Sequence, residues 1–192
     1  MGKPVKIALF GGSFNPPHIG HIWVAQQILE SRVVDLVWLI PNFSSQFYSK
    51  KQLVDAKHRV EMCKLLIHDF DDISNYGKIC VSETEIRNKF SYSYELVEHF
   101  TKRFPNAKFY FVVGSDWNIN KFKNYQKILK MCKVIVMNRG GYKNTICRIK
   151  QLVDFKISST EIRRRILDRQ TIKGLTSQSV EKYIYQNKLY SK

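Results

Sequence analysis

Short apolar runs that stop at glycine or proline alternate, along most of this chain, with segments whose apolar residues recur at helical spacing. Residues 5–10 form such a run and end at Gly11-Gly12; residues 33–40 form a second and end at Pro41-Asn42. Further runs at 78–82, 108–113 and 133–137 are followed by polar or glycine-containing stretches. Between them, Ile22, Ala25, Ile28 and Leu29 place a helix over 19–31, and Asp55 caps a helix predicted over 56–68. Helices are also predicted over 92–104 and 125–131, with a polar, aperiodic loop over 42–53. Buried strands alternating with helices of this length imply parallel βαβ units, hence an α/β fold with a doubly wound sheet. Such sheets bind ligands outside the carboxyl ends of their strands, where Gly11-Gly12 and Gly114-Ser115-Asp116 fall. The last stretch differs: helices at 158–167 and 176–186 form a small helical C-terminal part. No linker divides the chain, so a single domain over 1–192 is expected, with a core over 1–156 and the helical part over 157–192.

Composition narrows the class. With 44% hydrophobic and 25% charged residues, the 192-residue chain reads as an ordinary soluble protein. No apolar run approaches the roughly 18 residues of a membrane span. The N-terminal residues read as a first strand rather than a signal peptide, so the cytoplasm is the expected compartment and no membrane partner is expected. Cys63, Cys80, Cys132 and Cys147 stand far apart, without a C-x-x-C pair, and read as buried free thiols rather than a zinc site. The net charge of +16 is unevenly spread: residues 1–120 hold 14 Lys/Arg against 12 Asp/Glu, residues 121–192 hold 18 against 4. A basic half suits polyanions, either phosphate-rich small molecules or nucleic acid; a lysine-rich background serving solubility is an equal alternative.

The segment Gly11-Gly12-Ser13-Phe14-Asn15-Pro16-Pro17-His18-Ile19-Gly20-His21 joins the first strand to the first helix. Glycines there let the backbone approach a phosphate, and a helix N-terminus offers unpaired N–H groups at its positive dipole end. The segment matches neither the dinucleotide fingerprint nor the P-loop. His18 and His21, three residues apart, share one side of the first helical turn, where imidazoles suit an anion that gains charge during reaction. Near the other end, Ser158, Ser159 and Thr160 precede a helical pattern. They can cap that helix or donate to phosphate oxygens, and Arg163, one turn on, can fork onto a phosphate.

Gly11 to His21 resembles the ATP-binding segment of the HxGH nucleotidyltransferases, and its fuller form is similar to the nicotinate-nucleotide (or nicotinamide-nucleotide) adenylyltransferase family. Ile157-Ser158-Ser159-Thr160-Glu161-Ile162-Arg163 resembles that family's ISSTxIR motif. His58-Arg59, Ser91-Tyr92-Ser93, Gly114-Ser115-Asp116 and the segment 180–190 extend the resemblance over nearly the whole chain. It implies a Rossmann-like sheet and an enzyme of NAD biosynthesis that transfers the AMP part of ATP to a pyridine mononucleotide, without a protein nucleophile.

The resemblance also implies roles. His18 and His21 are catalytic. Gly11, Gly12, Ser13 and Phe14 pack on the nucleotide, Asp116 faces the ribose, and Ser158, Ser159, Thr160 and Arg163 hold the phosphates. Ser91, Tyr92 and Ser93 face the pyridine through backbone N–H groups. Phe122, where the family has Trp, stacks on the ring, with Trp117 as the alternative. Lys50, or Lys51 beside it, supplies a positive charge that favours nicotinate over its amide. Mg²⁺ enters with ATP, held by phosphates and water and by no metal ligands of the chain. A homo-oligomer is compatible with all of this. The rivals are nicotinamide mononucleotide as acceptor, a related nucleotidyltransferase and, more remotely, a basic nucleic-acid-binding module whose affinity would fall steeply with salt.

Overall fold

In the computed structural model, residues 2–44, 53–70, 78–114, 123–138, 148–150 and 157–191 are described. Strands β1 (Lys6–Gly12), β2 (Leu36–Pro41), β3 (Lys78–Val81), β4 (Lys108–Gly114), β5 (Lys133–Asn138) and β6 (Arg148–Lys150) form one sheet in the order β3-β2-β1-β4-β5-β6. Every pair is parallel. The chain therefore winds outward in one direction from β1 through β2 to β3, then returns to place β4 on the other side of β1. The switch point lies between β1 and β4, so the loops leaving these two strands diverge and open a crevice at their carboxyl ends.

Alternating strand residues supply two cores. Ala8, Val37, Leu39, Val112 and Ile135 face helices α1 (Ile19–Glu30) and α2 (Ala56–Asp69). Ile7, Leu9, Phe111 and Val134 face α4 (Ser93–Arg103) and α5 (Tyr125–Met131). The central strands β1, β2, β4 and β5 contribute residues to both cores or to the side chains packed on them, which explains why their runs read as continuously apolar. The short helix α3 (Thr84–Asn88) follows β3. The C-terminal helices α6 (Ser159–Leu167) and α7 (Gln178–Gln186) add Ile162, Ile166, Val180 and Ile184 to the first core. Polar clips fix α7 on α2: Ser179 donates to Asp69 from its backbone N–H (2.9 Å) and its hydroxyl (2.7 Å). Tyr183 Oη lies 2.9 Å from His58 Nδ1.

The predicted elements are all present, with ends displaced by a few residues. β1 runs through Gly11 and Gly12, which pair with Ile40 and Pro41, so the glycines close the strand instead of following it. Two elements were not anticipated, α3 and β6, of five and three residues. Asp55 caps α2 as expected, its Oδ1 accepting the Lys57 N–H at 2.9 Å. The expectation of buried thiols needs one correction: Cys63 and Cys132 are buried, but Cys80 is exposed because it lies on β3, the sheet's edge strand. Cys147 lies outside the described residues. Among the described residues no helix is long and apolar enough to cross a membrane.

Candidate active site

The loop between β1 and α1 is shaped by its own side chains. Phe14 takes a left-handed backbone (φ 46°) and turns its ring inward, 1% exposed. A Cβ on Gly12 would meet that ring at 3.1 Å, so a side chain there would have to push the Phe14 ring by a few tenths of an ångström. A Cβ on Gly11 would meet nothing within 4 Å; its space opens outward, where a ligand could lie against the strand end. The Asn15–Pro16 bond is cis.

His18 is the N-cap of α1, and its main-chain N–H donates to His21 Nδ1 at 3.0 Å. The two imidazole centroids are 3.7 Å apart. The Phe14 ring lies 4.9 Å from that of His21. Packing between Phe14 and His18 holds the His21 ring in place at the positive dipole end of α1.

The C-terminal motif closes on this loop. Ser159 Oγ donates to Pro16 O at 2.8 Å, and Arg163 Nη1 donates to Asn15 O at 2.7 Å. Arg163 also bonds Thr160 Oγ1 at 3.1 Å, which orients the guanidinium along α6. Thr176 Oγ1 donates to Pro17 O at 2.9 Å, and Ile19 N–H to Leu175 O at 3.1 Å. Tyr190 Oη donates to Asn15 Oδ1 at 3.0 Å. Segments almost 150 residues apart thus share one wall of the crevice. Ser158 Oγ caps α6 by accepting the Glu161 N–H at 3.1 Å. Arg164 and Arg165 turn away and pair with Glu161.

Ser91, Tyr92 and Ser93 stand at the start of α4, on the same edge of the sheet. The N–H groups of Ser91 and Tyr92 both donate to Glu95 at 3.0 Å, so these two already have a protein acceptor. Ser93 is the first helical residue, whose N–H has no intrahelical partner. Lys123 Nζ sits 4.4 Å over the Tyr92 ring, bringing a cation to this segment from the start of α5. Lys50, Asp116, Trp117 and Phe122 lie outside the described residues.

Sequence reasoning gave no role to Arg59. It is 1% exposed and donates to Val54 O (3.0 Å), Ser13 O (2.9 Å), Asn42 Oδ1 (3.1 Å) and Asn42 O (2.7 Å). Burial lowers its pKa from the usual arginine value. The signal was present: Arg59 lies on the helical stripe of Met62, Cys63 and Leu66, an isolated charge among buried apolar residues. Phe43 N–H donates to Glu85 Oε1 at 3.1 Å, and burial pushes that carboxyl up to about 7.

The cytidylyltransferase-like family model matches residues 9–165. A protein named "Probable nicotinate-nucleotide adenylyltransferase" from Bacillus cytotoxicus is 32% identical over 190 residues, covering 96% of this chain and 98% of its own. A protein of the same name from Bacillus pumilus is 33% identical with the same coverage. This chain belongs to the nicotinate-nucleotide adenylyltransferase family. Its fold also matches the Plasmodium falciparum nicotinic acid mononucleotide adenylyltransferase solved with NaAD, at a TM-score of 0.82, 23% identity and 97% coverage of both chains. The two segments that the fold clamps together at the crevice are those that resemble the family's motifs, 11–21 and 157–163.

Proposed function

We propose that this enzyme joins nicotinate mononucleotide to the AMP part of ATP, releasing pyrophosphate and forming nicotinate adenine dinucleotide for NAD biosynthesis. The observation that carries the reading is the clamp of Arg163 and Ser159 on the Asn15-Pro16 carbonyls, which sets both phosphate-binding motifs on one wall beside the β1/β4 switch point. An oxygen of the acceptor's 5′-phosphate attacks the α-phosphorus, the bond from that phosphorus to the α,β-bridging oxygen breaks, and pyrophosphate departs. The α1 N-terminus with His18 and His21 stabilises charge gathering on the bridging oxygen. Thr160 and Arg163 hold the departing phosphates, with Ser158 and Ser159 shaping the helix start beneath them.

Among the described residues no group of three His, Cys, Asp or Glu could hold a metal ion. A divalent cation carried by the phosphates needs no such cage, and Mg²⁺ is the ion proposed; it would neutralise phosphate charge while the chain's residues align the reactants. For the acceptor, Lys123 over Tyr92 provides a positive charge beside the Ser91-Tyr92-Ser93 segment, which favours the nicotinate carboxylate over the neutral amide. Lys50, the stacking of Phe122 or Trp117 on the pyridine, and the contact of Asp116 with the ribose belong to the same proposal. So does folding of residues 1–192 as one cooperative unit, supported by the core that α6 and α7 share with the sheet. Mass analysis of the product from ATP and nicotinate mononucleotide, with and without Mg²⁺, tests the reaction. The dinucleotide should form only with the cation and be lost on chelation. Its absence with Mg²⁺ present would refute the reading.

A further inference from the structure

Two loops must be held in register for a transfer between two bound nucleotides. One is the β1–α1 loop; the other leaves β2 at Asn42. They come from different strands and meet at Arg59. Its guanidinium takes the carbonyl of Ser13 from the first loop, both oxygens of Asn42 from the second, and the carbonyl of Val54 ahead of α2. All four acceptors are uncharged oxygens, and the side chain is fully buried. A planar fork can reach three segments at once, whereas an ammonium on a flexible stem cannot reproduce that spread.

Beyond Arg59, the second loop is tied at Phe43 to Glu85 on α3, and the first is tied at Asn15 to Arg163, Val54 and Tyr190. Nothing in the reaction chemistry uses Arg59, and a buried cation with no substrate contact has to be explained by what it holds.

We propose that Arg59 is a positioning residue that locks the ATP-binding loop to the acceptor-side loop, so that one buried guanidinium sets the distance between the two substrates. The inference rests on the acceptor reading above for the identity of the second loop. A loosened lock lets either substrate bind slightly out of line, and a displacement of about 1 Å can cost on the order of 100-fold in rate.

The test uses the full chain with Arg59→Lys, Asn42→Ala and both together, beside the wild type. Steady-state kinetics are measured with ATP and nicotinate mononucleotide each varied, and amide hydrogen exchange is followed at residues 11–18 and 42–44. Arg59→Lys should stay folded, raise KM for both substrates by about 10-fold and lower kcat by about 10- to 100-fold. It should also speed exchange in both loops together. The double variant should lose no more activity than Arg59→Lys alone, because the bonds to Asn42 are already gone. Unchanged kinetics in a folded Arg59→Lys, or losses that multiply in the double variant, would overturn the proposal. If Arg59→Lys does not fold, Asn42→Ala decides: a rise in both KM values supports the lock, and a rise in the acceptor KM alone, or in neither, overturns it. Inactivity of the wild type towards both pyridine mononucleotides would refute the function instead. The exchange data then decide the lock, with coupled loosening of both loops supporting it and loosening of one or neither overturning it.

Discussion

His21 accepts the main-chain N–H of His18 on Nδ1 at 3.0 Å. A ring nitrogen that accepts carries no proton, so the proton of the neutral ring sits on Nε2. The same side chain therefore caps α1 with one nitrogen and keeps a donor on the other, facing away from the cap. His18 and Phe14 fix the ring between them.

The two tasks of His21 separate in a substitution. In His21→Asn the amide oxygen falls where Nδ1 was and can keep the cap, but nothing replaces the Nε2 donor. kcat should fall by about 100-fold or more while the melting temperature stays close to that of the wild type. His21→Ala loses both, with a comparable fall in kcat and about 1 kcal/mol of stability. Turnover near the wild-type level in His21→Asn would remove His21 from the chemistry.

The clamp on the first motif can be weakened one bond at a time. Ser159→Ala removes the donor to Pro16 O, and Thr176→Val removes the buried donor to Pro17 O. Each should cost about 1 kcal/mol in denaturant unfolding, because each leaves a carbonyl unsatisfied. KM for ATP should rise severalfold in both. Thr176 lies outside the ISSTxIR segment, so a rise there separates loop support from direct phosphate contact.

These bonds mark where the sequence stops being legible. The central strands and the longer helices could be read because β1, β2, β4 and β5 pack apolar side chains on both faces and each longer helix carries an apolar stripe. Both patterns are local. The elements that escaped, α3 and β6, are too short for a period to show. At the site, Gly11, His18 and His21 could be singled out because they crowd one loop. The partners of that loop could not, since Asn15 meets Arg163 and Tyr190 across 148 and 175 residues. Arg59 left a trace, a charge within an apolar stripe, but its acceptors are backbone carbonyls, which no side-chain pattern reveals. Ser159 illustrates the converse: its hydroxyl, legible as a phosphate donor, already donates to Pro16.

Glu85 predicts a pH dependence of stability. Burial, the largest cause, pushes its carboxyl up from 4.5 to about 7, against smaller opposing effects of the Phe43 N–H and Arg59; Glu95 adds to the rise. The folded protein therefore keeps a proton that the unfolded chain releases at lower pH. The contribution of Glu85 is fully present below about 4.5 and is lost as the pH rises through about 7. Glu85→Gln keeps an acceptor for Phe43 and cannot ionise. Relative to the wild type it should gain about 2 to 3 kcal/mol between pH 5 and pH 8 in denaturant melts. Parallel stability curves for the two proteins would show that Glu85 ionises as freely in the folded state as in the unfolded one.

The most direct test of the central claim is pyrophosphate release from ATP with nicotinate mononucleotide and nicotinamide mononucleotide as alternative acceptors, at matched concentrations and saturating Mg²⁺. Robust release is expected with both, or with nicotinate alone, and a kcat/KM at least about 10-fold higher for nicotinate, the discrimination worth about 1.4 kcal/mol that one well-placed cation can supply. Equal or higher kcat/KM with the amide, or no release with either, would contradict it.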